Sequence, residues 1–207
     1  MRSILVRVRA LASAVLIACP MASIRAQSPS GSWLDQSQPA SWNAPGVPIP
    51  AAPSVDSGTE PRCADQARPA ELEADRRLRN AGWDLIGAFQ GGWQILVIGA
   101  TAGYDGMCRP REYQDFVFVR GIFAGTLSPR TMDSRTDGAL SRVFVQSPTR
   151  LTAEYLRYAP QDPLCCASRT TRVVFDIASD GPLVKPVSVS TSANAPPQAP
   201  RSPAPRN

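Results

Sequence analysis

The sequence predicts an α+β fold, mainly an antiparallel β meander, curled or folded into a small sandwich, with one N-terminal helix and two disulfides. Three observations predict it. Apolar and polar residues alternate with a period of two through most of residues 83–189, in short runs separated by turn residues. Those turns are too short for the crossovers that parallel pairing needs. Four cysteines fall within the same body, an even number.

The chain opens with an export signature. Arg2, Arg7 and Arg9 form a positive region, and residues 10–24 carry no charge. That apolar run suits a signal peptide over residues 1–26 and is too short to span a bilayer. Ile24-Arg25-Ala26 offers a cleavage point after Ala26, the preferred outcome. Leu16-Ile17-Ala18-Cys19 is the alternative, a lipobox in which Cys19 is acylated and anchors the protein to a membrane. Both outcomes place the protein outside the cytoplasm, periplasmic, secreted or membrane-anchored. No run of about 20 apolar residues is present, so no membrane span is expected.

Residues 27–61 are rich in proline, serine and alanine without sustained periodicity, and read as a disordered linker in which Trp33 and Trp42 have no assigned role. Residues 192–207 read as a proline-rich disordered tail, which leaves residues 62–191 as the folded domain. A helix opens that domain. Pro69 suits its first turn, Glu71, Glu73 and Asp75 sit toward its positive end, and Arg76, Arg77 and Arg79 toward its negative end. Ala74, Leu78 and Ala81 share a face, widened by Leu72, and Gly82 stops the helix. The apolar face is thin, so the helix is expected to pack on a sheet.

Strands are then expected over residues 83–89 and 93–99, with a hairpin turn at Gln90-Gly91-Gly92. Residues 114–119 and 122–127 flank Arg120-Gly121, and residues 142–146 and 151–158 flank Ser147-Pro148-Thr149-Arg150. Residues 171–177 show the clearest alternation, and Asp180-Gly181 turns the chain into residues 183–189.

Composition excludes much chemistry. The chain has no histidine, so no Ser-His-Asp or Cys-His nucleophile and no HExxH zinc helix can form. The net charge of +5 belongs largely to the signal: cleavage after Ala26 removes four arginines and leaves 18 basic against 17 acidic residues. No nucleic-acid footprint is left, and no nucleic-acid partner is expected. Of the basic residues, Lys185 is the only lysine.

Cys63, Cys108, Cys165 and Cys166 read as two disulfides formed in an oxidising compartment. Three connectivities exist. The two that tie Cys63 and Cys108 separately to the adjacent pair are favoured, because joining neighbouring cysteines closes a strained ring.

The body resembles the LppP/LprE lipoproteins, exported bacterial proteins of unknown function. The resemblance rests on Cys63 before the helix, Cys108-Arg109 before a strand, and Phe116-Val117-Phe118 leading to Gly121. It continues through Gly125 with Ser128-Pro129, Asp162-Pro163-Leu164-Cys165-Cys166, and Arg172-Val173-Val174-Phe175 before Asp180-Gly181. It spans roughly residues 63–186 and implies the fold, export and paired cysteines. It carries over no catalytic residues.

Chemical motifs are sparse, and neither a cofactor nor a metal is expected. Residues 99–106 are glycine-rich but lack the Gly-Lys-Ser/Thr ending of a phosphate loop. Residues 133–138 begin like a calcium loop, yet Arg135 stands at a ligand position and Phe144 where a bidentate glutamate belongs. Asp105, Asp115, Asp133, Asp137 and Glu154 are the carboxylates available for acid–base work. Asp115 and Glu154 lie on strands, where they either converge in a pocket or face solvent.

Arg109, Arg111, Arg130 and Arg135 form the candidate recognition surface for an anionic ligand; pairing with Asp105, Asp133 and Asp137 is the favoured alternative. The expected function is a non-catalytic extracytoplasmic module that binds an envelope protein, a glycan or a small anionic ligand. The alternatives are a small carboxylate-dependent enzyme and a thiol-redox protein using Cys165 and Cys166.

Overall fold

A computed structural model describes residues 31–55 and 61–195. The signal segment, Cys19 and the cleavage point after Ala26 lie outside the described residues. Eight strands form two four-stranded antiparallel meanders. The first sheet holds β1 (Asp84–Gly92), β2 (Ile95–Tyr104), β3 (Pro110–Val119) and β4 (Ile122–Thr126). The second holds β5 (Ala139–Ser147), β6 (Arg150–Arg157), β7 (Arg169–Ile177) and β8 (Val184–Ala193). β8 therefore runs into what the sequence suggested was tail.

The β1–β2 turn is Trp93-Gln94, two residues beyond the expected glycines, and both have positive φ, 53° and 62°. Arg120-Gly121 repeats that geometry between β3 and β4. Such mirror-image turns match the twist of paired strands.

Alternation sorts the side chains into two cores. Val97, Val117 and Val119 of the first sheet meet Leu151, Tyr155, Val173 and Phe175 of the second in one cluster. On the opposite face of the first sheet, Ile98, Phe116 and Phe118 pack under the helix α1 (Glu73–Asn80) with its Ala74 and Leu78. The helix ends at Gly82, whose φ of 91° a side chain would resist. Asp75 is fully buried at its start, where it accepts from the Glu71 and Leu72 N–H groups and from both terminal nitrogens of Arg68 (2.6 and 2.8 Å). Burial works to raise the Asp75 pKa, but Arg68 and the two backbone donors outweigh it and hold the carboxyl below its ordinary value.

The proline-rich stretch departs from its reading as a linker: residues 31–55 form a strap built into the core. Leu34 is wholly buried and Trp33 is 7% exposed. Trp33 stands edge-on to Tyr155 (5.7 Å) and to Trp42 (5.1 Å), and Trp42 edge-on to Phe175 (6.2 Å). Farther along, the Pro50 carbonyl accepts from Trp83 Nε1 at 2.8 Å, and the Ala52 N–H donates to Ala81 at 2.9 Å. Arg157, almost buried, pairs with Asp35 of the strap at 3.2 Å. Prolines keep such a segment extended and leave few backbone donors in need of partners. Two indoles, one leucine and these polar contacts together fasten it.

The disulfides also differ from the favoured pairing. Cys63 joins Cys108 (Cα–Cα 5.3 Å), and Cys165 joins Cys166. Topology explains this. The 3-10 turn Pro61–Gln66 carries Cys63 to the first sheet, where the Ala67–Ile86 bridge fixes it beside the β2–β3 turn that bears Cys108. Cys165 and Cys166 instead sit in the β6–β7 connection of the second sheet. Among the described residues no helix is long and apolar enough to cross a membrane.

Candidate binding cleft

The clearest site grows from a defect in the first sheet. Ile86 of β1 pairs with Gly99 of β2, but the next pair is Gln90 with Val97, so three residues of β1 bulge past one of β2. Gly87 at the bulge has φ 61°. Bulges bend a strand away from its partner and commonly border sites. Here the bend opens a cleft of about 430 Å³ between β1, the first half of β3 and the start of β5.

Asp115 of β3 lines it. In register it faces Gly99, and a Cβ at Gly99 would stand 3.1 Å from Asp115 Oδ1 and 3.3 Å from Ile86 Cγ1. The missing side chain gives the carboxyl its room. Asp115 is 5% exposed, and among the described residues no group donates a hydrogen bond to its carboxylate or forms an ion pair with it. Burial alone pushes its pKa up to about 7. It is also the one charged residue among those lining the cleft.

Two phenols share its surroundings. Tyr113 donates to the Gly138 carbonyl and accepts from the Leu140 N–H at 3.2 Å, which ties β3 to β5. Tyr155 donates to the Leu127 carbonyl at 3.0 Å. Burial first, and then the negative charge of Asp115, hold both phenols well above their ordinary range. A further depression of about 490 Å³ lies beneath the strap. Its Asn43, Gln114 and Thr126 side chains all hydrogen-bond within the protein.

The arginines of the expected recognition surface are engaged. Arg109 pairs with Asp105 at 2.6 Å, Arg111 with Asp133 at 3.7 Å and Arg130 with Asp137 at 3.6 Å. Arg135 donates to the Asp162 carbonyl at 2.6 Å and lies 4.5 Å over the Tyr158 ring. Arg109, Arg111 and Arg135 do line one shallow depression, but with Asp105 and Asp133 between them. Burial tends to raise the Asp105 pKa, whereas Arg109 and two backbone donors bring it below its ordinary value.

The carboxylates do not converge either. Glu154 pairs with Arg172 at 2.7 Å on the outer face of β6, while its neighbours Ala153 and Tyr155 point inward. Asp115 faces inward from the other sheet. Asp133 and Asp137 close their own turn: Asp137 Oδ2 accepts from the Asp133 N–H at 2.9 Å, and Asp133 Oδ1 from the Glu112 N–H at 3.1 Å.

Asp115 was visible in the sequence as a carboxylate on a strand, and its parity with Tyr113 and Val117 carries the signal that it faces the core. Gly99 read only as part of a glycine-rich stretch without a phosphate-loop ending. The bulge across from it left no cue beyond Gly87.

No curated protein and no solved structure matches the chain. A family model does match. Residues 93–180, which include Cys108, Cys165, Cys166, Gly99 and Asp115, match the LppP/LprE lipoprotein family, and to that family this stretch of the chain is similar.

Proposed function

We propose that this protein is an exported, envelope-associated, non-catalytic binding module that takes a small ligand into the cleft beside Asp115. The family match supports the envelope setting, since the matched proteins are lipoproteins. The observation that carries the binding reading is a buried carboxylate without a partner, lining an open cleft. An unpaired buried charge is costly, and proteins retain such groups chiefly where they act on something. The separation of Asp115 from Glu154 on opposite faces favours binding over two-carboxylate hydrolysis. A fragment screen by protein-observed NMR tests the reading. Bound fragments are expected to shift the amides of Gly99, Tyr113 and Leu140, and a screen at millimolar concentration that leaves all three unmoved contradicts it.

The Cys165–Cys166 pair, with Cys165 exposed and Cys166 half-buried, supports a second reading, thiol exchange. An external dithiol attacks one sulfur, the other leaves as thiolate, and the reductant closes its own disulfide. The loop does not depend on that bond, because Asp162 accepts from the Ala159 and Ser168 N–H groups (2.7 and 2.8 Å). Equilibration with glutathione redox buffers tests it: a potential near the buffer range supports exchange, and one far below it excludes exchange.

A further inference from the structure

We infer that the ligand of the Asp115 cleft carries a protonated amine on a small apolar body. This rests on the cleft being a binding site, and it names the chemistry that site selects.

Three of the lining hydroxyls have already given up their protons, and the donors left, the amide groups of Gln66 and Gln90 and the Tyr104 hydroxyl, are neutral. Tyr113 gives its proton to Gly138, Ser134 to the Pro110 carbonyl at 3.2 Å and Ser141 to the Glu154 carbonyl at 3.0 Å. Gln90 Oε1 is occupied by the Val143 N–H at 2.7 Å. The Tyr104 hydroxyl has no partner among the described residues, and the charges that act on it are Asp84 and Arg79. What the cleft offers a ligand is therefore one carboxylate among neutral groups, with no arginine or lysine among the lining residues.

An anion meets only like charge there. A neutral molecule leaves the carboxylate without a counter-charge. An ammonium group brings both the missing charge and three donors. Ile86, Leu140 and the alanines 88 and 139 form the apolar remainder of the wall, and a volume of about 430 Å³ suits a molecule of small size.

Calorimetric and NMR titrations of the full-length, disulfide-bonded protein with benzylamine, benzyl alcohol and benzoate test this. The three probes share one ring and differ in the polar head. Benzylamine is expected to bind at least about tenfold more tightly than benzyl alcohol, with benzoate weakest. Asp115→Asn is expected to bring benzylamine down to the level of the alcohol. Equal binding of amine and alcohol, with shifts at Gly99 and Tyr113, overturns the amine assignment and leaves the binding cleft standing. Failure of every probe to shift those residues overturns the cleft itself. Should Asp115→Asn not fold, the ranking of the three probes on the unsubstituted protein decides alone.

Discussion

The Asn43 carboxamide lies directly against Gly125, and that contact joins the strap to both sheets. Asn43 Nδ2 donates to the Thr126 carbonyl at 2.9 Å and to the Val184 carbonyl at 3.0 Å, and its Oδ1 accepts from the Thr126 N–H at 2.9 Å. A Cβ at Gly125 would lie 2.7 Å from Asn43 Nδ2 and closer still to its Cγ, at a φ of 127° that side chains avoid. One amide thus holds β4 and β8 together, and only glycine fits beneath it.

Gly125→Ala is expected to destabilise the protein by about 2–4 kcal/mol, through steric clash and unfavourable φ. Asn43→Ala is expected to cost about 2–3 kcal/mol for three lost hydrogen bonds. The double variant should lose less than the two single losses combined, because removing the amide relieves the clash. Urea unfolding of the four proteins measures the coupling, and simple additivity counts against the contact.

The strap as a structural element makes a second prediction. Trp33→Ala is expected to cost about 3–5 kcal/mol, as for other large buried aromatics. A spacer residue would change stability by less than about 0.5 kcal/mol. Thermal or urea unfolding distinguishes the two.

The two disulfides are expected to differ sharply. A closed loop with a sequence separation of 45 gives Cys63–Cys108 about 4 kcal/mol in the chain-entropy model. Joining adjacent residues closes no loop worth the name. Cys63→Ser with Cys108→Ser should therefore lower the urea midpoint strongly, and Cys165→Ser with Cys166→Ser hardly at all. Non-reducing peptide mapping checks the pairing itself, and a Cys63–Cys165 or Cys63–Cys166 peptide refutes it.

How much of this was legible in the sequence varies with the physical cause. Period-two alternation placed eight strands, and the four-residue spacing of Ala74 and Leu78 placed the helix face, because burial of one side of an element imposes that element's period. Arg109 and its neighbours were legible as charges but also as partners, since Asp105, Asp133 and Asp137 lie a few residues away. Trp33 and Asn43 were not legible. Their contacts lie more than 80 residues off, at Tyr155 and Thr126, and no local period marks a residue fastened only by distant elements. The cysteine pairing failed for the same reason, because proximity across sheets is set by topology rather than spacing. Asp115 was named as a strand carboxylate, but its isolation depends on Gly99 and the β1 bulge together.

Stability should carry the mark of Asp115 in its pH dependence. The folded carboxyl keeps its proton up to about pH 7, whereas an unfolded aspartate releases it near about pH 3.9. Between these values the folded state binds more protons, so stability falls as pH rises from about 4 to about 7 and is level above. The drop is on the order of 4 kcal/mol. Asp75 and Asp105, held below their ordinary values, act oppositely and lose stability on acidification below about pH 4. Urea midpoints at pH 4.5, 6 and 8 should therefore decline for the unsubstituted protein and stay level for Asp115→Asn.

The most direct measurement is the titration of the Asp115 carboxyl carbon by NMR, followed with and without benzylamine. An isolated acid between the two sheets should titrate with a midpoint near about 7, moving downward when the amine is added. A midpoint near or below about 4, unmoved by the amine, would mean that Asp115 already has a partner and that the cleft holds no place for one.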